Sequence, residues 1–465
     1  MASDESIVYP YIPNSEPGVK RKMLAQIGVT STEALYASIP NALRLNRRLD
    51  LPEALLSECA LRKHVEEILS RNRNCNELLN FRGAGCYQHF VPAVCDEING
   101  RSEFLTAYAG EPYEDHGRFQ ALFEYESMMG ELVDMDVVNV PSYDGFQAAA
   151  TSIRMASRIT GRYEALVSAA VNPDKLSMIR GYCEPDISIK LLGFNPGDGQ
   201  IDMDGLRAAL SENAAAVYIE NPSYLGVIQS QGANVAELVH RVGGVCIVGV
   251  NPSSLGVLAP PAHYGADIVC GDIQPLGMHM QFGGGQAGFI ATRDDEQYVM
   301  QYPSRLFGIA PTSVPGEYGF GDVAYERTSF AHREEGREWV GTAAALWGIT
   351  AAVYLALMGP RGMAELGEAI MQRSHYAASQ LNAIRGVRAP ALDSAFFSEF
   401  VVNFDGTGKP VSDVNKALLD TGIFGGKDIT NEFPGLGNNA LYCVTELHNK
   451  ADLDRLAAAV EEAVQ

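Results

Sequence analysis

The sequence predicts an α/β protein: a large domain on a mostly parallel sheet with helices on both faces, then a smaller α+β domain at the carboxyl end. Three observations predict it. Between about residues 81 and 335, short and almost continuously apolar segments alternate with segments of helical spacing, which is how βα crossovers read. After a long Ala-rich stretch the order becomes strand, helix, strand, helix, enough for a second compact layer. The loop "GDIQPLGMHMQFGGG", residues 271–285, follows a strand-like run from Ala266 to Cys270 and leads to a glycine-rich turn. Open α/β sheets place their chemistry at such strand ends.

Taken in order, residues 1–80 read as an arm of short helices. A helix is expected from about Glu16 to Ile27, closed by Gly28, and Thr30 or Ser31 can cap the next turn before Pro40. "SECALRKHVEEILSRN" is amphipathic, with Leu61, Val65, Ile68 and Leu69 on one face. An arm with apolar faces and no core of its own is suited to wrapping something.

Residues 81–335 form the expected large domain. "EALVSAA", "DISIKLLGF", "AAVYIE", "VCIVGV" and "ADIVCG" are strands, whereas "QALFEYESMMGELV", "GFQAAATSIRMASRI", "MDGLRAALSE" and "VAELVHRVG" are helices. Residues 336–465 hold a long helix between domains and then the small domain, through "FFSEFVVNF", "VSDVNKALLDTG", "ALYCVTEL" and "KADLDRLAAAVEEAV". From Trp339 to Pro360 no residue is charged, a length that could span a bilayer. Its Ala, Gly and Thr content and acidic "HREEGRE" flank instead read as a buried helix.

Composition narrows the function classes. The chain has 465 residues, 46% hydrophobic and 20% charged, as in ordinary folded proteins. Its 35 basic against 57 acidic residues give a net charge of −22, which excludes nucleic acid and anionic membrane as natural partners, since both require a basic surface. The eight cysteines contain no C-x-x-C pair and read mostly as buried thiols. "MASDESIVYP" has neither a basic nor an apolar leader segment, so a cytoplasmic home is expected. The nine histidines are dispersed without recurrent ligand spacing, and no metal site is expected.

The segments "YIPNS", "MLAQIGV", "FRGAGCYQHFVPAV", "RSEFLTAY", "QALFEYESMMGELVDMDVVN", "SYDGFQAAA", "ENPSYLGVI", "PPAHYGADIVCGDIQPLG", "FGGGQAGFIATR", "NKALLDTGIFGG" and "VTELHNKADLD" run nearly end to end. In their order and spacing the chain resembles the subunit-1 (α) chains of two-chain glycine decarboxylases, the P-proteins of the glycine cleavage system. The resemblance implies a fold-type-I, aminotransferase-like architecture of the pyridoxal phosphate (PLP) enzymes. It also implies a division of labour: a PLP-bearing β subunit pairs with this cofactor-free chain, as an α2β2 assembly. There glycine is decarboxylated and its aminomethyl group passes to the lipoyl arm of a carrier protein.

The lysines agree with that division. They stand at 20, 22, 63, 175, 190, 409, 416, 427 and 450, leaving none between Lys190 and Lys409, where a fold of this type draws its Schiff-base lysine. Gln274 stands near that lysine's position, and only a primary amine can form the imine. Asn251, at the end of "VCIVGV", stands where a carboxylate would hold the pyridinium proton. Both absences read as a lost cofactor site.

Other candidates come from loops. "GAGCYQHFVP", residues 83–92, presents Tyr87 and His89 beside two glycines, as interface residues facing a partner's active site or as an ordinary turn. "YAGEPYEDHG", residues 108–117, clusters Tyr108, Glu111, Tyr113, Asp115 and His116 as a polar passage for a small amine. Here the sequence departs from the family pattern, keeping the leading Tyr108 and Gly117. "REEGREWVGTAAAL" departs likewise before the long helix. Asn221 in "ENPSYLG" reads as a strand-end turn or a loop residue, and "FGGGQAG" as a tight turn or an anion cradle. Three alternatives stand beside the leading one: a related complex for another small amine or carrier, a non-catalytic scaffold or regulatory subunit, and an autonomous enzyme using Glu111 and His116 as acid and base.

Overall fold

The structure, a computed structural model, describes residues 8–45, 47, 49–104, 116–329 and 344–465. It divides into two units, Met1–Arg73 and Asn74–Gln465. In the first, helix Pro17–Ile27 is capped by the Glu16 carboxylate and ended by Gly28 at φ +83°, a left-handed position that glycine takes without strain. Ser57 caps helix Glu58–Leu69. Ser31 precedes the turn Thr32–Tyr36 without a side-chain capping bond. No described residue of this unit is buried, so it has no core of its own.

The second unit is built on a seven-stranded sheet: β1 Val137–Val138, β2 Glu164–Ser168, β3 Ser188–Leu192, β4 Ala214–Glu220, β5 Val245–Val250, β6 Ile268–Asp272 and β7 Gly288–Thr292. Their spatial order is β1-β7-β6-β5-β4-β2-β3. Strands β3, β2, β4, β5 and β6 are mutually parallel, while β7 runs antiparallel to both β6 and β1. Every residue of β4 and β5 is buried, which is why those segments read as unbroken apolar runs. Helix Gly145–Thr160 lies on one face with Ala148, Ala149, Ile153 and Met155 in the core against Val167, Tyr218 and Ile247. The other face is closed by Val235, Val239, Leu276, Tyr354 and their neighbours.

The apolar stretch forms the helix Ala345–Asn382, interrupted where Gly359 has φ +59° and Pro360 follows; a proline removes a helix hydrogen bond and kinks the rod. Its first half packs on helix His116–Val133 and its second on helix Lys450–Val464. Trp339–Gly341 and the residues up to 343 lie outside the described residues. Among those described, no helix is long and apolar enough to cross a membrane. The carboxyl-terminal part is a three-stranded antiparallel sheet, Glu399–Asn403 and Lys427–Asp428 flanking Asn439–Cys443. Helix Val411–Asp420 and helix Lys450–Val464, which opens on an Asn449/Asp452 capping box, complete its core.

Four features depart from the sequence expectation. Leu79–Asn80 pairs in parallel with Ile423–Phe424, so the body begins before residue 80. Strand β7 emerges from a Gly-rich segment that carries little strand signal of its own. The hairpin Phe307–Pro311 with Tyr318–Asp322 is likewise additional. Strand β6 extends two residues past Cys270, to Asp272, which places a carboxylate at the sheet's edge.

Candidate functional site

The carboxyl ends of β4, β5 and β6 open on a cavity of about 80 Å³, closed over by residues 84–87 and by Phe397–Glu399 from the carboxyl-terminal part. Glu220 ends β4, Asn251 follows β5, and Asp272 ends β6. Lys175 enters from the first turn of helix Pro173–Cys183, whose N-cap is Asn172. The polar groups that line the space therefore come from five separate elements at a sheet edge, as the fold class leads one to expect.

The charges are heavily paired. Lys175 Nζ binds Glu220 Oε1, and Tyr218 donates its hydroxyl to the same oxygen at 2.9 Å. The amine also sits 5.3 Å from the centre of the Phe146 ring. Burial opposes the charge on Lys175, but Glu220 outweighs it and raises the amine's pKa above its ordinary value. The ammonium form is thus favoured, which removes the lone pair an imine-forming lysine needs. Gly249 belongs here for steric reasons: a Cβ would come within 2.5 Å of the Tyr218 hydroxyl.

Asp272 is held by backbone. Its Oδ2 accepts from Gly145 N at 2.8 Å, and its Oδ1 from Gln274 N at 2.9 Å and Ala287 N at 3.3 Å. Burial nonetheless pushes its carboxyl up to about 7. Glu399 accepts from Ala84 N at 2.6 Å and from the Tyr87 hydroxyl at 3.0 Å, and burial raises it to about 7 as well. The Tyr87 phenol is driven far above its usual value by burial and by the facing Glu399.

The sequence candidates fall into different places. Tyr87 lines the cavity. Asn251 lies on its wall, where its Oδ1 accepts from Ser253 N at 3.0 Å and Ser253 Oγ at 2.7 Å. Gln274 is fully buried and braces the 83–92 loop: Oε1 accepts from Tyr87 N at 2.9 Å, and Nε2 donates to Tyr87 O at 2.8 Å and Met278 O at 3.0 Å. It is not part of the cavity wall.

His89, read from sequence as either an interface residue or part of an ordinary turn, is buried in this chain, its side chain 2% exposed and paired with Glu446 at 2.7 Å. Glu446 also accepts from Phe90 N at 2.7 Å. Burial alone would raise that carboxyl, but the His89 ring and the Phe90 amide outweigh it and hold it below its ordinary value. The pair fastens the loop to the "TELH" turn. The partner group lies 357 residues away in the chain, so no local pattern could reveal it. Tyr108, Glu111, Tyr113 and Asp115 lie outside the described residues. His116 starts the helix His116–Val133.

Asn221 is structural, its amide nitrogen on Tyr264 Oη at 3.2 Å and its oxygen taking Gln229 N at 2.9 Å. The glycine run is not an anion cradle: the amides of Gly283, Gly284 and Gly285 donate to Met280 O, Gln281 O and Met280 O of their own loop. Among the described residues no cluster of His, Cys, Asp and Glu could hold a metal ion. Lys175, Glu220, Asp272 and Glu399 were the residues sequence reading missed. A signal existed for three of them, an acidic residue at the end of or inside an apolar strand.

These residues do not fit a pyridoxal coenzyme. Ligand pockets have about 300–1,000 Å³, well above the room here. A phosphate group needs the free amides of a helix N-terminus, yet Gly145 N is taken by Asp272 and Gln147 N by Asp144 at 2.7 Å. Three carboxylates line the cavity against one ammonium, which repels a phosphate.

The family described as "Glycine cleavage system P-protein" matches residues 10–459. A "Probable glycine dehydrogenase (decarboxylating) subunit 1" from Staphylothermus marinus is 37% identical, covering 98% of both chains. A protein of the same description from Brevibacillus brevis is 36% identical over 97% of this chain and 98% of its own. Among solved structures, an inhibitor-bound glycine decarboxylase (P-protein) of the glycine cleavage system superposes with TM-score 0.83 at 33% identity, covering 98% of this chain and 100% of that one. A sphingosine-1-phosphate lyase from Burkholderia pseudomallei, at 15% identity and TM-score 0.66 over 92% of this chain and 94% of its own, shares the fold. These neighbours are fold-type-I PLP-dependent enzymes, and the fold of this chain is of that class.

Proposed function

The chain belongs to the glycine cleavage system P-protein family, and from that premise we propose that it is the cofactor-free subunit 1 of a two-chain glycine decarboxylase. It works with a β subunit that carries PLP, as an α2β2 assembly. Together they decarboxylate glycine and hand the aminomethyl group to the lipoyl arm of a carrier protein. The observation that carries this reading is the near full-length likeness to relatives described as subunit 1, joined to a strand-end cavity whose helix N-terminus is filled by Asp272. A protein that must supply its own coenzyme site keeps those amides free.

Within the assembly this chain contributes surface and order. The unit Met1–Arg73, which has no buried residue among those described, exposes Tyr11, Leu43, Leu51 and Leu56; such side chains in a chain without a core are suited to an apolar partner surface. Tyr108 and His116 remain the candidates for contact with the partner's substrate passage. Co-expression with the lysine-bearing chain tests the reading. A stable complex should exchange labelled bicarbonate with the glycine carboxyl, and withholding this chain should abolish that exchange. Full exchange by the partner alone would overturn the assignment.

A further inference from the structure

The segment Met280–Gly285 holds an aromatic side chain in the open. Phe282 is fully exposed, and it and Gln281 both take left-handed backbone, at φ +57° and +47°, a conformation that residues other than glycine adopt at a cost. The turn is nonetheless closed on itself, the amides of Gly283 and Gly285 both donating to Met280 O. It is also fastened to the body. Met280 O accepts from the Cys86 thiol at 3.9 Å, the His279 ring bonds Asp96 at 3.1 Å, and Gln286 Nε2 donates to Gly85 O at 3.0 Å. A strained tip held rigid with its one large apolar group in water carries a cost that nothing in this chain offsets.

Phe282 does not stand alone. The segments it is fastened to expose Phe90, by 60%, and Val94, by 40%. Glu446 accepts from Phe90 N at 2.7 Å, and the next residue, Leu447, is exposed as well. Leu357, 57% exposed, lies one turn beyond Tyr354, whose Cβ is 3.0 Å from where a Cβ on Gly277 would stand. Phe282 and Phe90 alone expose roughly 240–400 Å², at about 150–250 Å² for a whole side chain. One side of a standard interface buries about 800 Å², a little over half of it apolar, so these five side chains supply most of the apolar share of one side. Charge at the rim decides the occupant. The bases there are taken, His279 by Asp96 and Arg101 by Glu103 at 2.6 Å, while Glu97 is exposed and has no partner among the described residues. A second copy of this chain, itself at −22, would bring an acidic rim to an acidic rim. We propose that this patch is the docking face for the companion chain, with Phe282 the central anchor, seated in an apolar pocket of a partner whose rim is basic. The proposal rests on the reading that this chain works as one subunit of a pair, and it adds which face is covered. Docking there reaches the strand-end cavity through the backbone, because Gln274 and Gln286 tie the same loop at Tyr87 and Gly85.

The test measures binding of the full chain to the separately purified lysine-bearing chain by biolayer interferometry, with hydroxyl-radical footprinting of the complex. Phe90, Phe282 and Leu357 should be protected from oxidation once the complex forms. F282A should weaken it about thirtyfold or more, as loss of a central aromatic anchor does, and V94D about tenfold; thermal midpoints equal to the parent's establish that these surface variants fold. E97K should slow association at low salt. A complex whose patch stays as reactive as in the free chain, or F282A binding as tightly as the parent, overturns the proposal. Unchanged or faster association of E97K overturns the basic rim assigned to the partner. Sedimentation of this chain alone checks the other occupant: a dimer that F282A dissolves would make the face a contact between copies and likewise overturn the proposal. Bicarbonate exchange by the parent mixture reports the subunit assignment on its own, so failure of the face and failure of the assignment are separable.

Discussion

Replacing Lys175 by Met probes the buried pair directly. The Lys175 side chain is 16% and that of Glu220 9% exposed, so solvent screens neither effectively. Two unit charges in contact at an effective dielectric near 20 attract by about 4 kcal/mol. Burying both ions costs several kcal/mol, so the intact pair contributes little net stability. Breaking it is different: K175M leaves the Glu220 carboxylate buried with only the Tyr218 hydroxyl for a partner, and such losses cost about 3–5 kcal/mol. For a body of this size 1 kcal/mol moves the thermal midpoint by about 1–2 °C, so K175M should melt roughly 3–10 °C lower by differential scanning fluorimetry at pH 7.5. The double variant K175M/E220Q should recover most of that loss, because no buried charge is left unpaired. A K175M protein as stable as its parent, or a double variant no better than the single one, would refute the reasoning.

Glu399 gives a pH signature. Its folded-state carboxyl is raised from 4.5 to about 7, so the folded protein holds a proton that the unfolded chain releases. Stability from this group is full below about pH 4.5 and declines as pH rises towards 7, by about 3 kcal/mol at about 1.4 kcal/mol per pH unit; the difference in midpoint between parent and E399Q, measured from pH 4 to 8, should shift in favour of E399Q over that window and then level off. Removing Glu446 should free the loop it holds: E446A leaves His89 and the Phe90 amide without their partner, and amide exchange across residues 83–92 should speed at least tenfold while β4 and β5 stay protected. Restoring a lysine is not enough to restore a coenzyme site. Q274K, at a position buried away from the cavity and without free amides for a phosphate, should show no absorbance of a lysine imine on addition of PLP.

The large-scale fold was legible because its signals are local. Strands β4 and β5 are buried on both faces and read as apolar runs, and the helices Gly145–Thr160 and Val411–Asp420 carry clear one-sided spacing. Strand β7 escaped because it is only five residues long, Gly288–Thr292, and the glycine-rich "GGGQAG" that runs into it masks its start. The site was legible in part. Asn251 was found at the end of its strand, and the empty lysine interval was read directly. Lys175 carries no such signal, because the Schiff-base position follows β6, whereas this amine arrives from the helix N-terminus after β2, three strands away. Asp272 stands two residues before Gln274 within the very loop that drew attention. An acid closing an apolar strand marks a cavity wall, as Glu220 does in "AAVYIE" and Glu399 in "FFSEFVVNF". The two readings of His89 stayed open in the sequence because pairing with Glu446, from the far end of the chain, leaves no trace in nearby sequence.

In the proposed assembly the coenzyme is tethered to a companion chain. Borohydride reduction of the assembled complex in the presence of PLP, followed by peptide mass analysis of both chains, tests it most directly. The pyridoxyl label should fall on one lysine of the partner, with none on this chain. Stoichiometric label on Lys175, the amine that reaches this cavity, would contradict the claim.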